Sequence, residues 1–143
     1  MTAGTVSAGA AAVEAEGLSK DHAGEKALKG ISFRVPQGAL FGIIGADGAG
    51  KSTLLDILAT LVDPDAGKAQ VLGHDLARGF GDIRQDIGYM PQRFSLYQDL
   101  TVLENLDFFA DIFSVTGGEK RARMDRLLDF AALKPFRGRR AGA

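Results

Sequence analysis

The sequence has no cysteine, no tryptophan, two histidines and four prolines in 143 residues. Without thiols there are no disulfides, no thiol catalysis and no thiolate zinc site, which fits a reducing compartment. No apolar run approaches the roughly 20 residues that a membrane-spanning helix needs. Neither sign of charge prevails, because 17 basic and 18 acidic residues leave a formal net charge of −1. A global basic field that would attract nucleic acid is therefore excluded, and the short cluster Arg137, Arg139 and Arg140 reads as a solvated segment. Residues 1–12 are small and polar and lack the basic start of a signal peptide, so they read as a disordered tail. An intracellular, soluble protein is the expectation. The remaining length, with 45% hydrophobic residues overall, suffices for one domain with a core.

What the chain does have is glycine, 19 residues of it, concentrated where it matters in Gly45-Ala46-Asp47-Gly48-Ala49-Gly50-Lys51-Ser52-Thr53. A strand-like run, Leu40 to Ile44, precedes this segment, and a helix-like run, Lys51 to Leu61, follows it. Strand, glycine-rich loop and helix in that order are the context a phosphate-binding loop requires. Glycines at 45, 48 and 50 let backbone N–H groups approach an anion with no Cβ in the way. The helix N-terminus adds unpaired donors and the positive end of its dipole. Lys51 can reach the β- and γ-phosphates, and the Ser52 hydroxyl can ligate Mg²⁺. The residues thus point to a nucleoside triphosphate.

Other elements follow from periodicity. Residues 13–16 and 18–20 are expected as short strand pieces around Gly17, and Gly30 to Val35 alternates as a half-buried strand does. Leu40 to Ile44 is apolar at successive positions, as a strand covered on both faces would be. Leu54, Leu55, Leu58 and Leu61 make the apolar stripe of the helix after the loop. Lys68 to Leu72 predicts another strand, Gly73-His74-Asp75 a turn with a solvated His74, and Ile87 to Met90 a strand ended by Pro91. Thr101 and Glu104 form a capping box before an apolar helical face at Leu103, Leu106 and Phe109. A last helix is expected from Glu119 to Leu133, stopped by Pro135.

Residues flanking the loop narrow the class. Leu18-Ser19-Lys20, then Ala27-Leu28-Lys29-Gly30-Ile31-Ser32-Phe33 and Pro36-Gln37-Gly38, resemble the opening of an ABC-transporter ATP-binding domain. Ile87-Gly88-Tyr89-Met90-Pro91-Gln92 resembles that family's Q-loop. Leu100-Thr101-Val102-Leu103-Glu104-Asn105-Leu106 looks like the start of its helical subdomain. The matches are collinear from Val13 to about Leu133, and the ATPases of ABC-2-type exporters are the nearest likeness. The resemblance implies an α/β P-loop NTPase fold of the ABC type in incomplete form. Its parts would be an antiparallel β subdomain and the start of the RecA-like core over residues 13–92, then part of the helical subdomain over 93–143. It makes Gly45, Ala46, Asp47, Gly48, Ala49, Gly50, Lys51, Ser52 and Thr53 the Walker A loop for ATP, and gives Mg²⁺ the ligands Ser52 and Gln92. Gln92 would also face the attacking water and sense the γ-phosphate.

Two positions depart from the family pattern. His22 stands where an aromatic ring commonly stacks on adenine, and Asp47 where asparagine is more usual. An imidazole can stack with less area, or simply be solvated. The resemblance also implies a membrane-spanning permease, a second ATP-binding subunit docked head to tail, and a cytoplasmic place on the inner face of the membrane. Phe94, Leu96 and Tyr97 would meet the permease or pack on the helical subdomain. No nucleic-acid partner is implied. The family's signature loop, Asp-Glu strand and switch histidine are not among these residues. Val115-Thr116-Gly117-Gly118-Glu119, which superficially resembles a signature loop, reads as an interhelical junction. The chain alone is expected to bind ATP without hydrolysing it. The alternatives are a non-catalytic regulatory module and an ABC-type ATPase unconnected with transport.

Overall fold

A computed structural model describes residues 10–93 and 95–143. The chain divides into two units, one ending at Met90 and one running from Pro91 to Ala143. The first is built on a four-stranded antiparallel sheet in the order β2-β1-β3-β4. Its strands are β1 (Ala11–His22), β2 (Glu25–Pro36), β3 (Ala66–Val71) and β4 (His74–Asp75). The pairing along β1 shifts register between Ala15 and Leu18, around Gly17 at φ 62°. A bulge there keeps β1 one strand rather than two pieces. β1 also starts earlier than expected. Ala12 accepts a 2.8 Å hydrogen bond from the Leu72 amide, so residues 11 and 12 belong to the sheet and not to a tail. Residues 1–9 of the expected tail lie outside the described residues.

Helix α1 (Lys51–Leu58) packs on one face of this sheet, with Leu54 and Ile57 buried among Ala15, Leu18, Leu28 and Ala69. Leu54 was expected in that stripe, but Leu55 and Leu61 are exposed and Ile57 takes the inward position. The helix stops three residues short of Leu61, since Thr60 turns to φ 59°. Arg84 of α2 (Phe80–Asp86) holds that turn, donating from Nε to Thr60 Oγ1 at 2.7 Å and from its terminal nitrogen to the Thr60 carbonyl at 2.6 Å.

Two expected strands do not form. Residues 40–44 and 87–90 are irregular, because a strand exists only through ladder hydrogen bonds to a neighbour and none of the described strands pairs with either. Side chains of Leu40, Ile44 and Met90 stand in solvent, whereas Ile43 packs against the core. The stretch is steadied by Phe41, whose ring stacks on Phe33 at 5.6 Å. His74 is likewise corrected: it begins β4 and pairs with Val71, and the turn is Leu72-Gly73. Its ring nitrogens lie 3.8 and 3.6 Å from Asp82 and Asp86.

The second unit is an antiparallel pair of helices, α3 (Val102–Ile112) and α4 (Gly117–Phe130), followed by a 3₁₀ turn at Lys134–Phe136. The capping box forms as expected: the Glu104 amide donates to Thr101 Oγ1 at 3.2 Å, and Glu104 Oε2 accepts from the Thr101 amide at 2.8 Å. The two amides before Glu104 are satisfied from far along the chain. Val102 donates to the Arg139 carbonyl at 3.0 Å and Leu103 to the Arg137 carbonyl at 2.9 Å. The basic cluster therefore has solvated side chains on a backbone that clasps the start of α3. Residues 113–116 connect the helices, and α4 begins at Gly117 rather than Glu119, so the signature-like segment spans an ordinary helix junction. Lys120 ties α4 to α3 through Asp107 and Asp111, each at 2.6 Å.

Asn105 is 2% exposed and has every polar atom engaged. Its Oδ1 accepts from the Tyr97 amide at 2.9 Å, while Nδ2 donates to the carbonyls of Tyr97, Leu100 and Thr101 at 2.9, 3.3 and 3.0 Å. One side chain thereby folds residues 97–101 onto α3. Replacing it by leucine strands these buried groups, and a loss of about 2–3 kcal/mol is expected in urea unfolding of the whole chain. The capping box adds a pH dependence. Hydrogen bonds from the Thr101 amide and hydroxyl hold the Glu104 carboxyl below its usual value, so the native state favours the ionised form. That stability is fully present above the unfolded value of about 4.3 and is lost as pH falls through the lower folded value. Acid titration of stability should accordingly flatten in Glu104→Gln.

Candidate nucleotide-binding site

The loop before α1 begins where residues 40–44 end, and its shape follows from its glycines. Gly48 and Gly50 take φ 77° and 80°, which side chains of L-residues disfavour. At Gly50 the demand is doubled, because a Cβ would stand 2.2 Å from the Ala27 carbonyl oxygen and 3.0 Å from Leu28 Cδ2. The loop thus lies directly on β2. Within it, the Ala49 amide donates to the Ala46 carbonyl at 3.2 Å, closing a turn with Asp47 exposed at its tip.

α1 opens at Lys51 with Gly50 as N-cap, no side-chain cap and no acidic residue in its first turn. Its first amides, which no side chain caps, lie at the positive end of the helix dipole. Lys51 folds back over the loop and donates from Nζ to the carbonyls of Gly45 and Ala46 at 2.8 and 2.7 Å. Two of its three ammonium donors thus fix the charge over the loop. Ser52 is exposed at the second helical position. His22, at the end of β1, brings Nε2 to 3.5 Å from Thr53 Oγ1, the outer limit of a hydrogen bond. An imidazole therefore stands beside the first turn of α1. Residues 45–53 and His22 are brought together in the first unit. Gln92 belongs to the second, exposed in a bend just after Pro91, as are Leu96 and Tyr97; Phe94 lies outside the described residues.

Chemically, the loop offers glycine-borne amides, a helix N-terminus and one ammonium to an anion, and one hydroxyl to a cation. That is a cradle for a polyphosphate. Sequence reasoning missed the residues that brace it. Asp56, on the next turn of α1, accepts a 2.5 Å hydrogen bond from the Tyr89 hydroxyl, and Arg84 holds the far end of the helix. Asp65, held below the usual carboxylate range by hydrogen bonds from Lys20 Nζ and the Asp21 amide, pins the turn before β3 to β1. In the second unit, by contrast, Asn105 carried a legible signal, as an amide in an apolar helical face.

A phosphate-binding loop leading into a helix that packs on a β-sheet defines an α/β P-loop nucleoside-triphosphate-binding fold. The sequence profile of the ABC transporter family matches residues 28–143, and the chain belongs to that family. Over 134 residues it is 44% identical to a probable multidrug ABC transporter ATP-binding protein, YbhF, of Escherichia coli K12. That alignment spans 92% of this chain and 23% of the relative. It is 38% identical over 118 residues to the daunorubicin resistance ATP-binding protein DrrA3 of Streptomyces coeruleorubidus, spanning 82% and 37%. The chain therefore spans well under half the length of these relatives. Among solved structures, a dimeric ATP-binding cassette in a post-hydrolysis state with ADP and phosphate superposes with a TM-score of 0.77 at 29% identity. It covers 90% of this chain and 61% of the cassette.

Gly50→Ala tests the loop geometry. The methyl group meets the Ala27 carbonyl and a backbone at positive φ, so a loss of about 2 kcal/mol or more in denaturant unfolding is expected, together with loss of nucleotide binding in calorimetry.

Proposed function

We propose that this chain is the ATP-binding portion of an ABC exporter ATPase, in which ATP binding and hydrolysis drive transport through a membrane-spanning permease. The observation that carries the reading is the braced loop: Lys51 held over the carbonyls of Gly45 and Ala46, with an uncapped helix N-terminus behind it. In this reading the amides of residues 45–53 take the phosphates and Lys51 takes the β- and γ-oxygens. His22 lies against the adenine, and Asp47 points into solvent away from the polyanion. Relatives named as multidrug and daunorubicin resistance ATP-binding proteins support the exporter class.

Among the described residues no group of three His, Cys, Asp or Glu side chains is arranged to hold a metal. Mg²⁺ would arrive with the phosphate oxygens and be met by the Ser52 hydroxyl and the Gln92 amide, the usual sparing protein ligation of this ion. When bound, it neutralises charge on the phosphates. The first unit would serve as the start of the nucleotide core and the second as part of the helical subdomain, with Leu96 and Tyr97 toward the permease. A second ATP-binding subunit docked head to tail, and a cytoplasmic position at the inner membrane face, complete the arrangement. No nucleic acid takes part.

This chain by itself is assigned binding and not turnover. Calorimetry with MgATP should show binding that weakens about tenfold to a hundredfold in Lys51→Ala, the size of a lost charge-assisted hydrogen bond. Phosphate release should stay at background. Release that disappears in Lys51→Ala would overturn the assignment, and equal binding by the two proteins would remove the loop from the reading.

A further inference from the structure

The stretch that leads to Gln92 lies outside the sheet. Residues 88–90 join no strand, and the Met90 side chain stands in solvent. Ile87 is fastened by its amide to the Ile83 carbonyl at 3.1 Å, as the C-cap of α2. Beyond that point the Tyr89 hydroxyl reaches across to α1 and donates to Asp56 Oδ1. The acceptor is a carboxylate, so the bond is charge-assisted and directional. It raises the phenol above the ordinary tyrosine value, with burial adding to the shift, and Tyr89 remains a donor throughout the neutral range.

The geometry links two places that the proposed function requires to communicate. Lys51 and Asp56 sit on the same short helix, about 7.5 Å apart along its axis. The helix is eight residues long and packed through Leu54 and Ile57, so a displacement at its phosphate end would be carried to Asp56. At its far end, Arg84 fastens Thr60 to α2, the helix that feeds residues 87–90. α1 is thus gripped twice by the segment running toward Gln92, once at Thr60 and once at Asp56. From Tyr89 to Gln92 the chain can span at most about 10 Å.

We infer that Asp56 and Tyr89 are positioning residues, whose hydrogen bond passes the state of the phosphate loop to the chain leading into Gln92. The inference rests on the proposed roles of the loop and of Gln92. Neither residue touches the phosphates. Their part is to make residues 89 and 90, which lead to Gln92, follow α1, so that this stretch differs between a bound triphosphate and an empty loop.

The test uses the full chain with MgATP as probe, reading affinity by calorimetry and amide exchange of residues 90–93 by mass spectrometry or NMR. In the parent protein, saturating MgATP should slow exchange of these amides severalfold. Tyr89→Phe should bind MgATP within about twofold of the parent, since the phosphate contacts are untouched, and lose the nucleotide-dependent change. Asp56→Asn, which keeps an acceptor oxygen, should retain most of that change, and Asp56→Ala should lose it. A parent chain that does not bind MgATP would overturn the proposed function itself. Given binding, the inference is overturned if exchange at residues 90–93 ignores nucleotide, or if Tyr89→Phe responds as the parent does. It is also overturned if Tyr89→Phe loses affinity together with the response. Should Tyr89→Phe fail to fold, Asp56→Ala carries the comparison; failure of both to fold would make the bond purely structural and end the inference.

Discussion

The missing side chain at position 50 is the constraint on which the first unit depends. With the Ala27 carbonyl 2.2 Å from where a Cβ would be, loop and sheet approach more closely than any other residue permits. That approach decides where α1 starts and which of its faces meets the sheet. Leu54 and Ile57 then fall into the core with Leu18 and Leu28, and Lys51, one position past the glycine, is left over the loop carbonyls. The shape of the loop and the core packing are therefore two results of a single contact. The same closeness brings the end of β1, with His22, beside the first turn of the helix.

The second unit is organised differently, around one buried amide. Asn105 accepts one hydrogen bond from the backbone of residues 97–101 and donates three to it, while carbonyls of residues 137 and 139 complete the first turn of α3. Burying a polar group is unfavourable unless every atom is satisfied, and here the protein meets that condition with backbone alone. The result is a helix whose N-terminal end is fixed from both sides of the sequence. An apolar groove of about 430 Å³ remains between α3 and α4, lined by residues that include Leu106, Phe109 and Leu128.

Local rules read well from the residues because their causes are local. The phosphate loop, the helix after it and the capping box at Thr101 and Glu104 each depend on interactions three or four residues apart, or on backbone angles that only glycine takes freely. The resemblance of the flanking segments to ABC ATP-binding domains identified the family for the same reason, since the motifs are contiguous. Strands were less legible. Apolar runs at residues 40–44 and 87–90 have strand composition, yet strand formation requires a partner ladder that composition does not supply. Of the stripe read as Leu54, Leu55, Leu58 and Leu61, Leu54 and Leu58 meet the core while Leu55 and Leu61 are exposed, because helical spacing alone does not choose between adjacent faces; contact with the sheet chose Ile57.

What the sequence by itself determined is the chemistry of the loop: glycine-freed amides, one ammonium and one hydroxyl at the start of a helix. Glycine's backbone freedom and helical periodicity are properties of the chain and need no distant partner. Tertiary structure alone decided how that loop is braced. The seat of Gly50 on Ala27, the hold of Arg84 on Thr60 and the hydrogen bond from Tyr89 to Asp56 join residues 23 to 33 positions apart, and no local rule pairs them. Their distances follow from where the sheet and helices come to rest.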